Sequence, residues 1–157
     1  MARPLFAENG FKNLKILQIY AIIFIEKSME DFKMKMYEVL ALQGFYTSVQ
    51  DKKMPIKTAY KLSRLAKRAE EEIQFYQKEF ARIVDEYALK EDGRMIYSED
   101  MTSIKIIPGR EDECSIKIME LKELEVDFSG FEFTLDEFDS LELTLAEMSG
   151  ILPLIKD

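Results

Sequence analysis

The one set of side chains whose spacing could do chemistry is Asp112, Glu120 and Lys122. An acid followed by Glu-x-Lys on the next strand is how many metal-dependent nucleases hold Mg²⁺ and orient water. The same pattern arises readily in any acidic segment, and a nuclease also wants a basic groove that this stretch lacks. The 157 residues include no His, which removes Ser/His/Asp and Cys/His arrangements and imidazole metal ligands. The single Cys, Cys114, permits no intrachain disulfide and no multi-Cys metal site. It sits among acids, which raise a thiol pKa, and reads as a core filler. The six Gly are scattered singly, so no loop cradles phosphate. Asp136, Glu137 and Asp139 lack the Gly and the terminal Glu of a Ca²⁺ loop. The expectation is a chain with no catalytic residues, no metal and no cofactor, and not an enzyme.

The residues that stand out instead are carboxylates. Between Glu120 and Glu147 there are ten acids and one base, Lys122. Glu120, Glu123, Glu125, Asp127, Glu132, Asp136, Glu137, Asp139 and Glu142 form a strip interleaved with Leu, Val and Phe, the pattern of a folded surface. Such a strip can be a solubilising face. It can also imitate a phosphate backbone and fill a basic nucleic-acid site on another protein. The net charge of −8 hides a division at residue 90. Residues 1–90 carry 16 basic and 12 acidic side chains, and residues 91–157 carry 6 and 18. Direct nucleic-acid binding is not expected of so acidic a chain.

The basic part is organised by a helix expected over about 56–89. Pro55 suits its first turn, and neither Gly nor Pro interrupts it up to Leu89. Its apolar residues, Ala59, Leu62, Ala66, Ala69, Ile73, Tyr76, Phe80, Ile83 and Tyr87, step alternately by three and four, a heptad seam. Lys67–Glu71, Arg68–Glu72 and Arg82–Glu86 are one turn apart. Such a helix is roughly 50 Å long, more than the about 40 Å diameter of a compact domain this size. It must bend, project or pair. The seam from Leu62 to Tyr87 can be core packed on residues 37–50, or a self-association surface.

Three blocks emerge: an extension over 1–33, a helical half over 34–90 and an acidic, strand-rich half over 91–157, forming one folded unit. The fold class is α+β, with the long helix on a shorter helical segment, then a small antiparallel sheet and short capped helices. Strand character marks Met95–Tyr97, Ile104–Ile107, Ser115–Met119, Leu124–Phe128 and Phe131–Phe133, and Lys33–Met36 alternates well enough to join the sheet. Thr134-Leu-Asp-Glu137 and Thr144-Leu-Ala-Glu147 are capping-box helix starts, and Gly150 and Pro153 end the last helix. The most apolar run, Ile16 to Ile25, is too short to span a bilayer; it reads as a buried strand or core helix, or as a membrane-surface segment. Residues 29–36, Met-Glu-Asp-Phe-Lys-Met-Lys-Met, can be encoded with a purine-rich ribosome-binding motif ahead of Met34. Met34 is therefore an alternative start to Met1. No signal peptide is recognised.

From Met34 to about Ile155 the chain resembles a group of short proteins encoded by tailed bacteriophages and prophages, mostly of unassigned function. The matching residues are Met54-Pro-Ile-Lys-Thr-Ala-Tyr-Lys-Leu62, Glu70-Glu-Glu-Ile73, Phe75-Tyr76, Phe80-Ala-Arg82 and Glu86-Tyr87. Leu121 to Phe128, Phe133-Thr-Leu135, Leu145-Ala-Glu-Met148 and Leu152-Pro-Leu-Ile155 also fit. The resemblance implies a small viral accessory protein made in the bacterial cytoplasm, and supplies no catalytic residues. The expected function is binding of a protein partner, as a virion or assembly component or self-associating helper. The alternative is a counter-defence inhibitor whose acidic strip blocks a bacterial nucleic-acid-binding or nucleotide-dependent protein.

Overall fold

The computed structural model describes residues 14–22 and 32–156. Met1, Met29–Asp31 and Ile23–Ile25, on which parts of the start-site and apolar-run expectations rest, lie outside the described residues. Residues 14–22 are helical (α1). The chain continues through β1 (Lys33–Lys35), α2 (Met36–Val49), α3 (Ile56–Tyr87), β2 (Lys90–Glu91), β3 (Arg94–Met95), α4 (Glu111–Lys122), β4 (Glu125–Asp127) and α5 (Leu145–Ser149). Short 3₁₀ turns cover Leu135–Phe138 and Leu152–Leu154. The fold is α+β, dominated by α3.

The strand pairing crosses the charge division. β1 pairs antiparallel with β4, Met34 opposite Val126 and Lys35 opposite Glu125. The ladder begins before Met34: the Phe128 N–H donates to the Phe32 carbonyl at 2.8 Å, and the Phe32 N–H donates to Ser129 Oγ at 2.9 Å. Met34 itself is fully buried. β2 and β3 form a separate two-residue hairpin. Asp92 and Gly93 turn it with φ of 50° and 76°, the left-handed pair that a tight hairpin demands and that Asp-Gly supplies. Two two-stranded sheets thus replace the single small sheet expected.

Three other expectations are corrected. Ser115–Met119 is not a strand but the middle of α4. Its alternation of polar and apolar residues competes with a helical stripe, Cys114, Ile118 and Leu121, and that stripe is the one that faces inward. Three acids in the first turn and Lys122 in the last suit the helix dipole. Phe131–Phe133 contributes only a single bridge, Phe133 to Ile155. Pro153 does not end α5; it opens the following 3₁₀ turn, while Gly150 caps the helix. Both capping boxes place Glu carboxylates on Thr amides, Glu137 on Thr134 at 2.9 Å and Glu147 on Thr144 at 2.7 Å.

α3 serves two cores. Leu62, Leu65, Ala69 and Ile73 join Met34, the inward face of α2, Val126, Phe128, Phe133, Phe138, Ile151 and Leu154. Ile83 and Tyr87 join Cys114 and Leu121. Tyr76 packs against both. The far half of the helix is therefore packed on its own chain at Ile83 and Tyr87, while Phe75 and Phe80 stay exposed. Residues after Ala88 fold back and lay α4 along it.

Candidate interaction surfaces

Asp112, Glu120 and Lys122 all lie on α4, not on successive strands. Asp112 and Glu120 are two turns apart, roughly 12 Å along the axis, so they cannot share one metal ion. Among the described residues no group of three or more Cys, Asp or Glu side chains is placed to hold a metal. Cys114 is buried, and burial pushes its thiol pKa up.

The acidic strip is brought to the surface, and much of it is engaged within the chain. Lys33 and Lys35 lie 3.5 Å from Glu125, and Lys35 lies 3.8 Å from Glu123. Lys156 reaches Glu132 at 2.6 Å, and Lys117 reaches Glu120 at 3.3 Å. Asp127 accepts the Ser129 N–H at 2.8 Å. Its carboxyl pKa is lowered by the Ser129 hydroxyl and amide, with help from the Arg68 and Lys33 charges.

Glu137 is the most committed of the nine. Lys61 donates to both its oxygens, at 2.7 and 2.9 Å. One oxygen also accepts the Thr134 N–H, and Thr58, a buried hydroxyl, donates to its carbonyl at 3.4 Å. Burial pushes the Glu137 pKa up, but the Lys61 and Thr134 hydrogen bonds and the Lys61 charge outweigh it and hold it below the usual range. Asp136, Asp139 and Glu142 remain exposed, with no ion pair among the described residues.

The basic face of α3 explains where the complementary charge goes. Lys61 sits 4.5 Å over the Phe133 ring, Arg64 6.0 Å over Phe131 and Arg68 5.3 Å over Phe128. Arg68 also binds Glu72, as its spacing predicts, and approaches Glu71 at 3.9 Å; the Lys67–Glu71 pair that spacing also predicts is not formed among the described residues. The two oppositely charged parts of the chain are folded onto each other.

The helix seam splits three ways. Leu62, Ala69, Ile73, Ile83 and Tyr87 are buried, and Ala66 and Tyr76 are half-buried. Phe80 is 37% exposed and stacked on Tyr76 with centroids 5.8 Å apart. The seam missed Leu65 and Thr58, both buried. A 3.6-residue turn drifts about 20° per heptad against a 3.5-residue pattern, and α3 changes its packing partner halfway. Either fact warns that one heptad register will not hold over the whole helix.

Two apolar grooves are open. One, of about 400 Å³, runs between α2 and α3 over Leu42, Phe45, Tyr46, Leu62, Leu65, Ala66, Ala69 and Ile73, rimmed by Gln43, Thr47, Ser63, Lys67 and Glu70. The other, of about 620 Å³, lies between α3, the β2–β3 region and α4, and includes Phe80, Val84, Tyr97, Ile106 and Cys114. The run from Ile16 was expected as a buried strand or core helix, or as a membrane-surface segment; its described part is helical, and the exposure of every residue from 14 to 22 overturns the buried readings. The large apolar side chains of α1 are 49% to 66% exposed. Among the described residues no helix is long and apolar enough to cross a membrane. No protein-family model, curated protein or solved structure matches this chain.

Proposed function

We propose that this chain is a non-enzymatic bacteriophage accessory protein that works by binding protein, self-associating as a virion or assembly component in the infected bacterial cytoplasm. The observation that carries the reading is α1, which holds Leu14, Ile16, Leu17, Ile19, Tyr20 and Ile22 in water. Burying such side chains is worth about 1.5–3 kcal/mol each, and a surface this apolar marks an association site. The phage setting comes from the resemblance over Met34 to Ile155. Size-exclusion chromatography with light scattering over a range of concentrations tests the reading. A dimer or larger species is expected; a monomer throughout that also retains nothing from phage-infected host lysate would end it.

The counter-defence alternative is favoured by one observation: Asp136, Asp139 and Glu142 keep their charges free of ion pairs among the described residues. Reversing those three to Lys spares the Lys61–Glu137 contact, and so tests the surface without breaking the fold. Loss of a captured host protein supports this alternative, and unchanged capture rules the strip out.

A further inference from the structure

We draw no further inference here: the strongest candidate, the open apolar groove between α3, the β2–β3 region and α4 over Phe80, Val84, Tyr97, Ile106 and Ile118, carries nothing because nothing in the structure shows what covers it.

Discussion

At Gly150 the absence of one methyl group decides whether α5 can reach α2. A Cβ there would lie 2.6 Å from the Ala41 carbonyl oxygen and 3.0 Å from Phe45 Cβ. The first contact is with helix backbone, which cannot swing aside. Gly150→Ala should therefore cost about 1–3 kcal/mol, the range for overpacking, read as a lower urea midpoint; an unshifted midpoint would mean α5 has room to move. Among seam residues, exposure ranks the losses. Leu62→Ala empties a buried site and should cost about 2–5 kcal/mol. Phe80→Ala, at a position 37% exposed, should cost clearly less, although the heptad pattern gives the two residues equal standing. Equal midpoints would overturn that ranking. Glu137 sets an acid-side limit. Its pKa is lowered on folding from an ordinary 4.5, so its stabilising contribution is complete above that value and is lost as pH falls through the folded value. Glu137→Gln should flatten the fall in stability below about pH 4.5 relative to the parent chain. An unchanged slope would show that other carboxylates carry it.

At the scale of elements, β1 is the piece whose extent matters most. Phe32 gives its carbonyl and amide to Phe128 and Ser129, and Lys33 pairs with Asp127 in the ladder and lies near Glu125. A chain starting at Phe32 keeps all of this. A chain starting at Met34 loses it and places a charged amine on a residue with no exposure. The shorter chain should melt several degrees lower, and identical melting of the two would show that β1 needs only its last residues. α3 was legible from sequence because 32 residues without a breaker leave few alternatives to a helix. The two capping boxes were legible because their geometry is local to four residues. α4 was not, since Ser-Ile-Lys-Ile satisfies a two-residue period as well as a helical one, and only packing of Cys114, Ile118 and Leu121 on α3 chooses between them. Between the buried and surface readings of α1 the sequence could not choose, for a related reason. Hydropathy reports that a segment wants cover, and it cannot report whether the cover comes from its own chain. The strip carboxylates were correctly put on the surface, but their partners, Lys61 and Lys35, are distant in sequence and visible only once β1 meets β4 and α3 meets the C-terminal segment.

For the whole molecule, the opposite charges of the two parts act first as internal complements, and α3 is the beam on which two unequal cores are built. The core around Ile83, Tyr87, Cys114 and Leu121 is small and lies under an open groove. The core shared by α2, β1, β4 and the C-terminal turns is much larger. Local opening free energy follows buried apolar contact, so the smaller core should open first while the larger still holds α2 and the near half of α3. Cys114 is the sole thiol of the chain and is buried in that smaller core, which makes it a built-in reporter. Its labelling by a thiol reagent, followed against urea at fixed pH, should become fast at a lower concentration than the loss of helical circular dichroism. Ile118→Ala should advance labelling with little change in the main transition. Val39→Ala, in the larger core, should lower the main transition, bringing the two events closer together. Labelling that coincides with the loss of helix in all three chains would mean that α3, whose Tyr76 packs against both, couples the cores into one cooperative unit.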